Sequence, residues 1–289
     1  MGTGRGLQPD LLSLARHDLG ADLVSTPPVG ANRWRPDRSC RHNRRIGRPP
    51  DPLFSDRRLA ATYDVFEGDR NDLDAYERIV DELAARRVLD VGCGTGEFAC
   101  RLARRGIAVT AVDPAQASVE IARTKPGAEA VTWIVGDATT LPPLHVELAT
   151  MTANVAQLFV DDEEWTATLE GIRRTLSSGG HLVFETRQPS RKAWLEWTPD
   201  LTRQRAELHG GEVVETWCEV TAVDGEFVTF RWTNHFESDG ATVVSDSTLR
   251  FRSRAAIERS LDAAGYDLVD VRDAPDRPGR EMVFIARTR

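Results

Sequence analysis

The spacing of apolar positions predicts a chain of alternating strands and helices. Between 71 and 87, Leu73, Tyr76, Ile79, Val80 and Leu83 recur at helical spacing. Val88 to Val91 is a short apolar run closed by Gly92, and 97–105 reads as a helix. Ile107 to Val112 reads as a strand ending at Asp113, and Pro114 suits the first turn of a helix over 114–124. Val131 to Val135 is a strand running into Gly136 and Asp137, and 146–153 is another. The pattern over 161–176 is helical, with an acidic first turn that suits the helix dipole. Gly179 and Gly180 then turn into a strand over 181–185. This alternation implies an α/β protein: a doubly wound, mostly parallel sheet with helices on both faces.

Residues 212–251 break that rhythm. Three strand-like runs, 213–221, 227–236 and 242–251, are separated by Asp224-Gly225 and Asp239-Gly240, both strong hairpin signals. A three-stranded antiparallel insert is expected there, followed by a helix over 254–264 and strands over 266–272 and 282–287. At the other end, Leu11, Leu12, Leu14, Ala15, Leu19 and Leu23 fit one short amphipathic helix. The Pro-, Gly- and Arg-rich stretch after it has little to bury and is expected to be disordered. The resulting division is a tail over 1–55, a main domain over 56–189 and 252–289, and the insert over 190–251.

Charge sharpens that division. The 289 residues carry a net charge of −8, yet residues 1–50 hold nine Arg against four Asp, leaving 28 basic and 41 acidic residues for the rest. An acidic body repels nucleic-acid phosphates, which argues against a DNA or RNA substrate. Cys40, Cys93, Cys100 and Cys218 form no CxxC pair and have no zinc-finger spacing, so neither a disulfide scaffold nor a metal site is expected. No apolar run reaches the ~18 residues of a membrane span, and no export signal is evident, so a cytoplasmic location is expected.

The informative chemistry lies at strand ends. Residues 88–98, VLDVGCGTGEF, take a strand into glycines at 92, 94 and 96 and then into a helix. Glycines there allow a tight turn and close approach of the backbone to a ligand. The dinucleotide fingerprint Gly-x-Gly-x-x-Gly would need glycine at 97, where Glu97 stands. A carboxylate at a helix start disfavours a pyrophosphate, so a nicotinamide-dependent oxidoreductase fits poorly. Asp113 ends the second strand, 21 residues after Gly92, where a carboxylate can take ribose hydroxyls. Asp137 ends the third strand, 24 residues later, beside the small Ala138, and suits an adenine amino group and its flat ring.

These stretches, together with AVDPAQASVEIAR (111–123), VGDATTLP (135–142), TANVAQLF (152–159) and SSGGHLVFETRQP (177–189), resemble the class I S-adenosylmethionine-dependent methyltransferases of small-molecule type. The resemblance spans roughly residues 62–287. It implies a Rossmann-like, seven-stranded, mostly parallel sheet and S-adenosylmethionine as cofactor. It further implies that Asp90, Gly92, Cys93, Gly94 and Gly96 line the methionine side, that Asp113 and Pro114 hold the ribose, and that Asp137 with Ala138 holds the adenine. Asn154 falls near the sulfonium by the same resemblance. The segment from Ala61 through Arg70 and Tyr76 resembles the leading helix of these enzymes, placing Tyr63 over the cofactor and Arg70 at its carboxylate. Two departures stand out: Glu147 replaces an Asp common in the fourth strand, and the (Asn/Asp)-Pro-Pro-Tyr run that marks amide or base nitrogen methylation is absent.

The resemblance implies an enzyme methylating a small-molecule N or O acceptor, with the insert as a substrate lid. Tyr63 and His235 are the candidates for catalytic roles. Trp194, Trp197, Trp217 and Trp232 suit either an acceptor-facing wall or the core of a small sheet. An RNA or tRNA methyltransferase using the Arg-rich tail, and a non-catalytic S-adenosylmethionine-binding protein, are the alternatives.

Overall fold

In a computed structural model, residues 48–289 are described. The helix expected over 11–23 and the Arg-rich stretch before residue 48 lie outside them.

Helices α1 (Pro52–Ser55), α2 (Arg57–Glu67) and α3 (Leu73–Glu82) lead into β1 (Arg87–Val91). Next come α4 (Glu97–Arg104), β2 (Ala108–Asp113), α5 (Gln116–Ala122), β3 (Val131–Val135), β4 (Val146–Met151), α6 (Asp162–Thr175) and β5 (Leu176–Arg187). The one-turn helix α7 (Pro199–Thr202) precedes β6 (Gln204–Glu207), β7 (Val213–Asp224), β8 (Phe227–Phe236) and β9 (Thr242–Arg250). Helix α8 (Arg254–Ala263), β10 (Tyr266–Arg272) and β11 (Glu281–Thr288) close the chain.

Seven strands form one sheet in the order β10-β11-β5-β4-β1-β2-β3. β1 to β5 pair in parallel, and β11 runs antiparallel to both β5 and β10. Alternation along each strand assigns the faces. Leu89, Met151 and Phe184 meet Trp165 and Leu169 of α6 and Leu261 of α8, while Val88, Leu148 and Val183 meet Tyr76 of α3 and Phe98 of α4. The doubly wound expectation therefore holds.

The insert is larger than its sequence pattern suggests. Four strands, not three, form the second sheet in the order β6-β7-β8-β9. Four-residue β6 escapes notice because its run, Gln-Arg-Ala-Glu, has little apolar signal. The hairpins do fall where expected, with Gly225 at φ 59° and Gly240 at φ 69°. One face of this sheet packs on α1 and α2 through Phe230, Trp232 and Phe236 against Leu53, Leu59, Tyr63 and Phe66. Arg58 clamps the far end, with its guanidinium 3.7 Å over the Phe236 ring and its nitrogens on Glu212 and Asp239.

Residues 48–55, assigned to the tail from their sequence, are part of this packing. Leu53 is buried, and its N–H donates to Ser245 Oγ of β9 at 2.9 Å. The Phe54 carbonyl accepts from Ser118 Oγ of α5 at 2.9 Å. Leu53-Phe54 is a two-residue apolar pair, too short for periodicity to register, and Pro52 starts the helix.

Candidate functional site

The C-terminal ends of β1, β2 and β3 open into one crevice. Gly92, Cys93, Gly94, Asp113, Pro114, Asp137 and Ala138 line it, and Tyr63 of α2 and Arg70 of the loop after α2 reach it from the side. The structure thus gathers most of the residues expected from the sequence.

The loop between β1 and α4 is folded back onto β2. Gly92 and Cys93 donate to the Val112 carbonyl at 2.8 and 3.2 Å, and Gly94 donates to Asp113 Oδ2 at 2.8 Å. Asp113 Oδ1 accepts from Ala115 N–H at 2.8 Å, so each oxygen keeps a lone pair for a further donor. Burial pushes the Asp113 carboxyl up to about 6, with the two N–H bonds pulling against it. The three glycines have φ of 71°, 52° and 79°, which side-chain-bearing residues rarely adopt. Their roles differ. A Cβ on Gly92 would lie 2.6 Å from Val155, and one on Gly96 2.4 Å from Trp133, whereas one on Gly94 meets nothing within 4 Å. Only Gly94 keeps the crevice open by lacking a side chain. Gly96, expected at the cofactor, is instead a packing glycine under Trp133 and does not line the crevice.

Three more expected residues are placed differently. Asp90 does not line the crevice, because strand alternation turns it inward between Leu89 and Val91. It is 1% exposed, with Oδ1 accepting from Thr150 Oγ1 at 3.1 Å and Oδ2 without a partner. Burial pushes its carboxyl up to about 7, and the Asp113 charge adds to this. Asn154 is also absent from the lining, which Thr152, Ala153 and Val155 provide. Its Nδ2 donates to Glu281 Oε1 at 2.9 Å and its backbone N–H to Glu185 Oε1 at 3.1 Å. The turn it occupies is left-handed at two successive non-glycine residues, Ala153 at φ 56° and Asn154 at φ 60°. His235 lies on the outer face of β8, bonded to Thr242 Oγ1, because Phe230, Trp232 and Phe236 take the inward parity. It does not line the crevice.

Tyr63 packs on Phe54, with ring centroids 5.8 Å apart. Arg70 is held by a two-point pair, Nε and Nη2 on Asp72 at 3.0 and 2.8 Å, and those contacts with Asp72 outweigh burial to keep it charged. Asp137 turns inward on Thr139, accepting from its N–H at 2.8 Å and its hydroxyl at 2.5 Å. Glu97 lines the crevice at the first turn of α4. Burial works to raise its pKa, but Arg101 and Lys125 outweigh it and hold the group charged. Arg48, Pro50, Asp51 and Phe54 also line the crevice and were missed in the sequence, since they fall in the presumed tail. Phe159 closes the wall beside Ala138 and carried no signal of its own.

Of the four tryptophans, Trp197 and Trp232 are buried in the core between the insert and α2, and Trp194 stands edge-on to Phe251 at its margin. Trp217 faces outward beneath Arg203. Among the described residues no cluster of His, Cys, Asp or Glu is placed to hold a metal ion, and no helix is long and apolar enough to cross a membrane.

Comparison with known proteins places this arrangement. Residues 88–180 match the family model described as a methyltransferase domain. The biotin biosynthesis bifunctional protein BioHC of Cellvibrio japonicus is 31% identical over 150 residues, covering 47% of this chain and 28% of that one. The cypemycin N-terminal methyltransferase of a Streptomyces species is 35% identical over 109 residues, covering 37% and 44%. The chain thus spans less than half the length of these curated relatives. Among solved structures, the sugar N-methyltransferase KedS8 of a Streptoalloteichus species superposes with a TM-score of 0.62 over 76% of this chain and 87% of that one, at 19% identity. Residues 88–180 thus match a methyltransferase domain, and the chain shares the fold of a solved methyltransferase.

The cofactor of S-adenosylmethionine-dependent methyltransferases is a cation without phosphates, and the residues present fit it on two observations. Gly94 leaves open space at its α-carbon inside the crevice, and each Asp113 oxygen beside it keeps a lone pair for a further donor. The charged Glu97 at the start of α4 suits a sulfonium better than a pyrophosphate.

Proposed function

We propose that the protein is an S-adenosylmethionine-dependent methyltransferase acting on a small-molecule N or O acceptor. The observation that carries this reading is the convergence of Gly94, Asp113 and Asp137-Ala138, from three successive strands, on one crevice. In this reading Asp113 receives the ribose hydroxyls on its spare lone pairs, Asp137 and Ala138 hold the adenine, and Arg70 meets the amino-acid carboxylate. Tyr63 covers the same crevice from α2 and ties it to the insert core.

When bound, S-adenosylmethionine supplies a methyl group already activated by its sulfonium. The chain's contribution is to bind, to orient and to exclude water. The turn that is left-handed at Ala153 and Asn154 lines the crevice through Thr152, Ala153 and Val155 and is held by Glu185 and Glu281. Phe54 and Tyr63 form an apolar wall against water. The acidic charge of the described body favours a small molecule over nucleic acid as acceptor. BioHC and the cypemycin enzyme carry names of a small-molecule pathway and a peptide substrate respectively, and both fit methylation outside nucleic acid.

Calorimetric titration with S-adenosylmethionine, and separately with NAD, tests the reading. Micromolar binding of the first, none of the second and a loss of about tenfold or more in Asp113→Ala are expected. A folded protein that binds no S-adenosylmethionine refutes it.

A further inference from the structure

A row of buried charged groups joins two parts of the crevice lining that are distant in the chain. Arg70 lines the crevice and is held by Asp72 through Nε and Nη2. Burial works to raise the Asp72 carboxyl, but the Arg70 bonds and the charges of Arg70 and Arg277 outweigh it and hold it below the usual carboxylate range. Arg277, from the turn between β10 and β11, pairs with Glu281 at the start of β11, with Nη1 3.3 Å from Oε1. The same Glu281 oxygen accepts from Asn154 Nδ2 at 2.9 Å, and the turn around Asn154 lines the crevice through Thr152, Ala153 and Val155. The row thus begins and ends at the crevice, while Arg277 and Glu281 in its middle do not line it.

The side chains of Arg70, Asp72, Arg277 and Glu281 keep between 2% and 11% of their surface exposed. Buried ion pairs gain little net stability, because desolvation offsets much of their attraction. Atoms of both polarities also stay unpartnered around the row: Glu281 Oε2 and Asn154 Oδ1 as acceptors, and Arg187 Nη2 as donor, although Arg187 stands opposite Glu281 in the β5–β11 pairing. Such a network fixes geometry more than it stabilises the fold. The geometry it fixes is that of Arg70. Asp72 takes Nε and one Nη2 hydrogen, so the edge between Nη1 and Nη2 is left to meet a second carboxylate, and the placing of Asp72 sets where that edge points.

We propose that Arg277 and Glu281 are positioning residues for the cofactor, holding Asp72, and through it Arg70, in place for the amino-acid carboxylate, while Glu281 braces the neighbouring turn at Asn154. This rests on the methyltransferase reading above, which gives Arg70 that carboxylate.

The test is calorimetry on the full chain with S-adenosylhomocysteine, which carries the amino-acid end, and 5′-methylthioadenosine, which lacks it. Glu281→Gln and Arg277→Gln are each expected to weaken S-adenosylhomocysteine by about fivefold or more and to leave 5′-methylthioadenosine within about twofold of wild type. In an Arg70→Gln background either change should cost less than about twofold further, since nothing remains for it to position. An equal loss for both ligands, the full loss persisting without Arg70, or undiminished S-adenosylhomocysteine binding overturns the proposal. If 5′-methylthioadenosine is too weak to titrate, the comparison in the Arg70→Gln background decides. Should Glu281→Gln not fold, Arg277→Gln decides, and should neither fold, Arg277→Lys is read in the same way. Failure of wild type to bind S-adenosylhomocysteine removes the methyltransferase reading itself, and this proposal with it.

Discussion

Gly94 N–H donates to Asp113 Oδ2 at 2.8 Å, so the glycine loop ending β1 is pinned to the carboxylate ending β2. The crevice is therefore one hydrogen-bonded unit rather than two loops that happen to meet, and substitutions in it separate binding from stability.

Gly94→Ala and Gly96→Ala should behave differently. At Gly94 a methyl enters open space and costs roughly 1–2 kcal/mol of left-handed strain. It should weaken S-adenosylmethionine by about tenfold or more while the protein stays folded. At Gly96 the methyl would sit 2.4 Å from Trp133, and the melting temperature should fall severely. Thermal denaturation beside calorimetry reads both effects. Undiminished cofactor binding by Gly94→Ala would remove the loop from the site.

Asp90 should make stability depend on pH. Its folded pKa of about 7 lies above the unfolded 3.8, so the folded state holds an extra proton between these values. Stability is greatest below about pH 4 on this account and declines as pH rises to about 7. The full difference is of order 4 kcal/mol. Asp90→Asn should flatten this part of a melting-temperature profile between pH 4 and 8 and stabilise the protein at the upper end. An unchanged slope would mean that Asp90 titrates as an ordinary carboxyl.

Asn154 offers a test of the left-handed turn. Asn154→Ala removes the bond to Glu281 and leaves a methyl-bearing residue at positive φ, costing about 2–4 kcal/mol in all. Asn154→Gly loses the bond but relieves the strain, and should retain more stability than the alanine variant. If urea denaturation finds the two equal, strain at the turn is negligible.

His235→Ala should change stability by less than about 0.5 kcal/mol and leave methyl transfer within about twofold of wild type, as expected for a surface position. A large loss of turnover would place the outer face of the insert in the reaction after all.

The strand ends were the legible part of the sequence. Apolar runs stopping at Gly92, Asp113 and Asp137 follow the sheet directly, and the crevice lies at those ends. Side-chain direction was less legible. Asp90 and Gly96 belong to the same motif as Gly94, yet pleat and packing turn them away from the crevice, a distinction that spacing does not encode. His235 fell to the same parity rule, because β8 could have been read with either face inward until the partners of Trp232 were known. Residues 48–55 were hidden for another reason. Their burial depends on surfaces of β9 and α5 that are distant in the chain, and local composition shows only their neighbours' proline and arginine.

The bond from Leu53 N–H to Ser245 Oγ spans 192 residues. On a ribosome adding 5–20 residues per second, Leu53 waits roughly 10–40 s for its partner to be made. Throughout that interval the nascent sheet can form its glycine loop and its Asp113 contact while the apolar side of α1 and α2 has nothing to cover it. Translation thus delivers the glycine loop and Asp113 well before the aromatic faces of Tyr63 and Phe66 are hidden, and throughout this interval those faces are open to aggregation.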